Sequence, residues 1–153
     1  MAATSGIHAR ESDYLERYVQ IGIAAAKVVS VSFPRSPDED ARPEHPLLER
    51  IGRYLAGETD DFADVEIGLT VPTEERSVLQ SVRGIPNGEQ VAVESLSGMV
   101  PHLTADDPED QELVRRALAE NPLPLVVPDH RVLDGPSGAP PEVEQRLRSL
   151  EGL

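Results

Sequence analysis

The segment Pro128–Val132 (PDHRV) holds the side chains best suited to chemistry in this chain. It follows the apolar run Leu123–Val127 and places a carboxylate beside an imidazole, at Asp129 and His130. With Glu151 these two groups could form the start of a metal site. Adjacent residues on an extended segment point to opposite sides, however, so both would not reach one ion. We therefore predict no metal and no cofactor.

Other common chemistries lack the residues they need. The chain has 0 Cys, which excludes a disulfide, a thiolate metal site and a thiol nucleophile. Ser95 and Ser97 have no His–Asp pattern to activate them, and no Gly-rich loop is present to hold a phosphate. The remaining histidines stand in polar or loop contexts and are given no role: His8, His45 and His102.

The charge of the chain is strongly negative. Asp and Glu total 28 against 14 basic residues, which gives a net charge of −14, and such a chain is repelled by nucleic acid and by anionic membranes. Lys27 is the only lysine, aromatic residues are 3% and Trp is absent. This composition favours adaptation to concentrated salt, where a Debye length of about 3 Å screens self-repulsion. The alternative is an ordinary acidic protein.

Length and hydropathy predict one domain, or two small halves that share a core. The chain has 153 residues, 39% of them hydrophobic, and no apolar run approaches the ~20 residues of a membrane span. Met1–Arg10 contains no basic region followed by an apolar stretch, so no signal peptide is expected. We predict a cytoplasmic protein without a membrane partner.

Apolar spacing places these residues on a succession of short elements. The β-branched stretch Ile21–Phe33 predicts a strand or a strand pair, and the proline-rich stretch after it predicts a loop. Asp107 and Pro108 are a typical N-cap and first residue of a helix, with Asp110 three residues after the cap. The remaining predicted elements are helices from Pro46 to Gly57, at Glu74–Gly84, at Val91–Val100 and at Pro141–Leu150, and short strands at Asp64–Leu69 and Leu123–Val127. In the first of these helices an apolar stripe at helical spacing is predicted to face the core: Leu47, Leu48, Ile51, Tyr54 and Leu55.

Three stretches of the C-terminal half together resemble a known family. They read VLQSVRGIPNGEQVAVESLSGM, NPLPLVVPDHRV and LRSLE, and they are similar to the C-terminal domain of the alkylguanine-DNA alkyltransferases, the methylated-DNA–protein-cysteine methyltransferases. RYLAGETDDFADVEIGL resembles the stretch that leads into that domain. The resemblance runs from about Asp13 to Glu151 in the family's order.

This resemblance implies an α/β (α+β) fold in two parts. Residues 1–70 would form an N-terminal α/β domain, a small ribonuclease H-like sheet with a helix. Residues 71–153 would form a winged helix-turn-helix of alkyltransferase type, which agrees with the predicted order of short helix, turn, helix and strand. The family also implies a monomer whose partner is duplex DNA carrying alkylated guanine.

The family's functional positions can be carried over one by one. Its methyl-accepting Cys falls on Asp129, while His130 and Glu151 match the residues that activate the thiol and Asn121 matches a hinge. A carboxylate is a weak nucleophile compared with a thiolate. We therefore predict that methyl transfer is absent and that Asp129 forms a cap or an ion pair, with Arg131 or Arg148.

The positions that would meet DNA also depart from the family. The Arg that enters the base stack falls on Glu112, the Tyr that helps to rotate the phosphate falls on Val93, and the loop Asp134–Pro141 has no tyrosine. Acidic residues at the start of the recognition helix repel phosphates. The remaining DNA-binding candidates are Arg115, Arg116, Asn121 and Arg131.

Three functions follow from these observations. The first is a non-catalytic DNA-binding protein that recognises alkylated guanine in DNA repair, together with a repair-protein partner. The second is a degenerate scaffold that binds a protein and no DNA, which the acidic helix start favours. The third is residual dealkylation, in which Asp129 forms an ester that water cleaves.

Overall fold

A computed structural model describes residues 5–153. Residues 1–4, which belong to the stretch Met1–Arg10 and to the predicted domain 1–70, lie outside the described residues. Within 5–153 the fold is mixed α/β, with a small antiparallel sheet, five α-helices and one short 3₁₀ turn. The same residues contain no helix that is both long and apolar enough to cross a membrane.

The sheet comprises β1 (Gly6–Ser12), β2 (Arg17–Ala24) and β3 (Lys27–Ser32) in the order β1-β2-β3. Ala25 and Ala26 join β2 to β3 with positive φ angles of 51° and 63°. Two successive residues of this kind make the tight hairpin turn that matches strand twist. The predicted strand pair at 21–33 is thus confirmed, whereas β1 was not predicted.

The helices are α1 (Pro46–Leu55), α2 (Thr73–Val82), α3 (Val93–Met99), α4 (Pro108–Ala119) and α5 (Pro141–Leu150). Asp107 caps α4 as predicted, because its side chain accepts a hydrogen bond from the Glu109 amide at 2.9 Å. The predicted role of Asp110 in this cap is wrong, since its carboxylate accepts from the Thr104 amide at 2.8 Å instead.

Two predicted strands are absent from the sheet. Ile67, in the stretch 64–69, makes only an isolated parallel bridge to Val28. The apolar run 123–127 closes on itself, because the Val127 amide donates to the Leu123 carbonyl at 2.8 Å and Leu125 has a φ of 81°. Short apolar runs have the same pattern in a strand and in a buried turn.

The two ends of the chain are joined by side-chain contacts and share one hydrophobic core. Tyr14, in the turn between β1 and β2, donates to the Arg146 carbonyl of α5 at 2.7 Å, and Arg17 pairs with Glu142 at the same distance. The Val31 amide of β3 donates to the Pro122 carbonyl at 2.9 Å. The division at residue 70, and the ribonuclease H-like and winged helix-turn-helix descriptions, stay predictions.

Candidate functional site

The candidate site is built on a single buried turn between the loop after α4 and helix α5. Asp129–Arg131 form a 3₁₀ turn, and these residues are 1%, 0% and 1% exposed. The expectation of an extended segment here is wrong. The Val91 amide donates to the Arg131 carbonyl at 3.0 Å and fixes one side of the turn.

Three neutral donors surround the carboxylate of Asp129. Asn121 Nδ2 and the Gly138 amide donate to Oδ2 at 2.9 and 2.8 Å, and Ser137 Oγ lies 2.6 Å from Oδ1. A carboxylate offers about four acceptor positions, so most of them are filled. Burial raises the pKa of Asp129, although the hydrogen bonds from Ser137, Gly138 and Asn121 act to lower it.

The predicted ion pair of Asp129 with Arg131 or Arg148 is wrong. Arg148 Nη1 donates to the His130 carbonyl at 2.9 Å and Arg131 turns to the far side of the site. The other predicted role was a cap, and Asp129 does accept a hydrogen bond from a backbone amide. Its carboxylate binds the Gly138 amide, and in this way it holds the loop that follows the turn.

That loop closes over Asp129 and is pressed against its surroundings. A Cβ atom at Gly138 would lie 2.2 Å from the Asn121 carbonyl oxygen, and one at Gly135 would lie 2.7 Å from Leu118 Cδ1. Only glycine permits such close approaches. The loop therefore seals the carboxylate of Asp129 from solvent.

A second, more highly charged network lies next to this turn. His130 Nε2 is 2.6 Å from Glu151 Oε2, and the Tyr54 hydroxyl donates to the same oxygen. The side chain of Glu151 is 1% exposed. Burial acts to raise the pKa of Glu151, but the hydrogen bonds from His130 and Arg131 outweigh it and hold the pKa well below its usual range.

Arg131 anchors this network from inside the protein. Its Nε donates to Glu151 Oε1 at 2.8 Å and its Nη2 to Oε2 at 3.1 Å, which is the two-pronged geometry of strong Arg–carboxylate pairs. Its Nη1 binds the Ile85 carbonyl at 2.7 Å and Asp61 at 3.1 Å. The guanidinium predicted to contact DNA is thus fully occupied by the protein itself.

Sequence reasoning missed three members of the site: Tyr54, Asp61 and Ser137. Tyr54 was assigned to the core from its helical spacing, and it is indeed buried, but its hydroxyl also reaches Glu151 and lies 3.4 Å from His130 Nε2. A buried tyrosine usually finds a polar partner, and that was the available signal. Asp61 and Ser137 lie in loops whose folding the sequence pattern does not reveal.

The remaining predicted positions are scattered around the site. Asn121 is buried and also donates to the Val127 carbonyl at 3.1 Å. Val93 is 0% exposed, and its amide is capped by Asp134 at 2.7 Å. Glu112 and Arg116 are exposed on α4, where Arg116 Nε lies 3.4 Å from Glu75. Arg115, on the same helix, is half-buried.

One atom of the site lacks a protein partner. His130 Nδ1 is buried without a hydrogen bond. Because Nε2 faces the Glu151 carboxylate, a neutral His130 carries its proton on Nε2 and presents a lone pair at Nδ1. Among residues 5–153, no group of three or more His, Asp or Glu side chains is arranged to hold a metal ion.

Comparison with known proteins identifies relatives along most of the chain. A methylated-DNA–protein-cysteine methyltransferase of Methanopyrus kandleri is 34% identical over 117 residues, which cover 75% of this chain and 84% of the relative. Another of the same name, from Metallosphaera sedula, is 26% identical over 133 residues, 82% of this chain and 81% of the relative. No family model matches the chain.

Solved structures share the fold. The O6-methylguanine-DNA methyltransferase of Pyrococcus kodakaraensis superposes with a TM-score of 0.72 at 22% identity, covering 97% of this chain and 100% of that one. The Mycobacterium tuberculosis OGT in complex with DNA gives a TM-score of 0.70 at 20% identity, over 94% and 89% of the two chains. With the curated relatives, these likenesses show that the chain belongs to the methylated-DNA–protein-cysteine methyltransferase family.

Proposed function

We propose that this protein is a DNA-repair member of its family that binds DNA and recognises alkylated guanine without accepting the alkyl group. The observation that carries the proposal is the state of Asp129, which takes the place of the acceptor cysteine. Its carboxylate is 1% exposed and holds donors from Asn121, Ser137 and Gly138.

The chemical argument against methyl transfer has two parts. A thiolate attacks an alkyl carbon well near neutral pH, whereas a carboxylate is a weak nucleophile. Hydrogen bonds to the carboxylate oxygens reduce their nucleophilicity further, because each donor stabilises the charge that attack would use. The chain contains no Cys that could replace the acceptor.

The argument for a retained recognition role comes from the rest of the site. His130, Arg131 and Glu151 keep a closely bonded network, with Asn121 at the predicted hinge. Helices α3 and α4 follow one another as a helix-turn-helix requires. Arg115 and Arg116 on α4 are the side chains that we assign to phosphate contacts, whereas Arg131 and Asn121 act from within.

The proposal is tested by fluorescence anisotropy with a duplex that carries 6-O-methylguanine, and with the same duplex unmodified, at low and high KCl. We expect tighter binding to the modified duplex at both salt concentrations. The matched variants are Arg115→Gln/Arg116→Gln and, as a control remote from α4, Arg53→Gln. Equal affinity for the two duplexes contradicts lesion recognition.

A second candidate function is a protein-interaction scaffold without DNA binding. It is favoured by the acidic start of α4, where Asp107, Glu109 and Asp110 precede the exposed Glu112. Negative charge at this position stabilises the helix through its dipole but repels phosphates. Absence of binding to either duplex, at any salt concentration, supports this alternative.

Residual dealkylation through Asp129 is the third candidate. It requires an ester on a carboxylate that the 135–138 loop covers, followed by attack of water on that ester. The buried Nδ1 of His130 is the nearby group with a lone pair that could activate water. Release of methanol from methylated duplex, with more than one turnover per protein, is the expected signature of this activity.

We also propose a cellular location, an oligomeric state, an adaptation to salt and a domain arrangement for this protein. A cytoplasmic monomer adapted to concentrated salt, with a ribonuclease H-like half (1–70) and a winged helix-turn-helix half (71–153), accounts for the net charge of −14 and for the order of elements. Unfolding curves at increasing KCl test the salt adaptation, which predicts greater stability as the salt concentration rises.

A further inference from the structure

A pair of histidines lies at the start of α1, at the opposite end of that helix from Tyr54. His8 of β1 is 4% exposed, and its ring centroid lies 4.8 Å from that of His45. His45 is the N-cap residue of α1. Neither histidine was expected to have a role, because both stand in polar or loop contexts along the sequence.

The hydrogen bonds fix whether Nδ1 of each ring donates or accepts. The Leu47 amide donates to His45 Nδ1 at 3.0 Å, so that this nitrogen must carry a lone pair. His8 Nδ1 lies 2.9 Å from the Glu44 carbonyl oxygen, which only accepts, so that this nitrogen must carry the proton. The α1 cap therefore exists only while His45 Nδ1 is unprotonated.

We propose that His8 and His45 form a proton-sensitive latch, which holds the first turn of α1 at neutral pH and releases it on acidification. Protonation of His45 sets an N–H against the Leu47 N–H and removes the cap. It also adds a positive charge at a helix N-terminus, where the helix dipole is unfavourable to cations. The neighbouring ring is that of His8, whose Nε2 is buried and unpartnered. This ring supplies no negative charge that could compensate the charge on His45.

The charged groups around the pair do not change this result. Asp40 and Arg42 line the same cavity of about 310 Å³ as His8, and Arg10 binds the Pro43 carbonyl. Glu44 contributes its carbonyl oxygen, and Glu49 lies in the first turn of α1. The hydrogen bond at the cap runs from the Leu47 amide to the His45 ring, so the group whose protonation breaks it is the imidazole.

The direction of the pH effect follows from the equilibrium. Burial, and next the charge of His8, lower the pKa of His45 from its usual 6.5. The unfolded chain then binds a proton more readily than the folded one, so stability is full above the unfolded pKa and falls as the pH drops through the folded pKa. The latch is independent of whether the protein binds DNA.

Hydrogen exchange of the Leu47 amide tests the latch, measured by NMR at pH 7.5 and at a pH one unit below the folded pKa of His45, and corrected for intrinsic exchange. We expect protection to fall by about five- to tenfold in the wild-type protein, the size of a lost N-cap. In His45→Asp, whose side chain caps a helix as a carboxylate at both pH values, protection should stay constant. The control His102→Asn alters an exposed loop histidine and should behave as wild type.

Two results overturn the proposal. One is a Leu47 protection factor that is the same at both pH values in the wild-type protein. The other is an equal fall in wild type and in His45→Asp, which would place the titrating group elsewhere. Nitrogen chemical shifts of the His45 ring locate its folded pKa and give a second readout, with Nδ1 expected to be unprotonated at pH 7.5 and protonated below that pKa.

Discussion

The two buried carboxylates of the site, those of Asp129 and Glu151, have pKa values that are shifted in opposite directions. Asp129 is surrounded by an amide, a hydroxyl and a backbone N–H, and burial raises its pKa. Glu151 is surrounded by a guanidinium, an imidazole and a phenol, and its pKa is held well below the usual range. Burial is common to both, so the charge of the donors decides whether the pKa of the carboxylate is raised or lowered.

The same comparison separates two roles in one site. The surroundings of Glu151 are those of a rigid anchor, which fixes His130 and Arg131 whatever happens at Asp129. The surroundings of Asp129 tie the turn to the 135–138 loop. The side chains that donate to Glu151 differ from those that donate to Asp129, so we expect the anchor to form whichever residue stands at position 129.

The largest effect is expected from Glu151→Gln. The substitution removes the buried carboxylate partner of Arg131 and leaves the guanidinium with the partly exposed Asp61. Breaking a buried pair in this way costs about 3–5 kcal/mol. Urea unfolding at neutral pH measures the loss. Glu142→Gln, which removes the exposed partner of Arg17, is the matched control and should change stability much less. Equal losses in both variants would show that Glu151 is no anchor.

A smaller loss is expected from Asp129→Asn. The amide keeps the shape of the carboxylate, but its NH₂ group either faces the N–H donors of Asn121 and Gly138 or makes the Ser137 hydroxyl an acceptor, which leaves that O–H without its partner. An unsatisfied buried donor costs about 1–3 kcal/mol. The same urea series measures it. A variant as stable as wild type would mean that Asp129 does not hold the loop.

The pH dependence of that difference sharpens the comparison. The raised pKa of Asp129 means that the folded protein binds a proton more readily than the unfolded one, so the wild type gains stability as the pH falls towards about 3.9. The lowered pKa of Glu151 acts in the opposite direction, and stability is lost as the pH falls below about 4.3. Asp129→Asn removes only the gain. Its stability deficit should therefore grow between pH 7 and pH 4, and a constant deficit contradicts the pKa direction for Asp129.

The smallest effect is expected from Tyr54→Phe. The substitution removes one of several donors to Glu151 while the ring stays packed against Phe62, with centroids 5.6 Å apart. Hydrogen bonds to charged groups contribute about 1.5–3 kcal/mol. His130 and Arg131 still bind Glu151 in this variant, so we expect a loss below about 1 kcal/mol. Thermal unfolding measures the change. A loss equal to that of Glu151→Gln would mean that Tyr54 is the main support of the anchor.

The sequence predicted the parts of the fold that depend on regular spacing. The apolar stripe of α1, the cap of α4 at Asp107 and the strand pair after Ile21 are confirmed. The run 123–127 forms a turn because it is buried without a neighbouring strand and bonds to itself, from the Val127 amide to the Leu123 carbonyl. Within five residues, no pattern distinguishes a buried strand from a buried turn. In the same way, the motif around Asp129 located the site, but the donor Tyr54 came from a distant segment and Ser137 from the following loop, and the approach of both depends on tertiary packing.

The central claim is that Asp129 captures no alkyl group. Intact-mass spectrometry of the wild-type protein after incubation with a 6-O-methylguanine duplex tests it most directly, with a cysteine-containing relative as the positive control. We expect the mass of this protein to stay unchanged while the relative gains one methyl group. A gain of one methyl group that maps to the peptide containing Asp129 would contradict it.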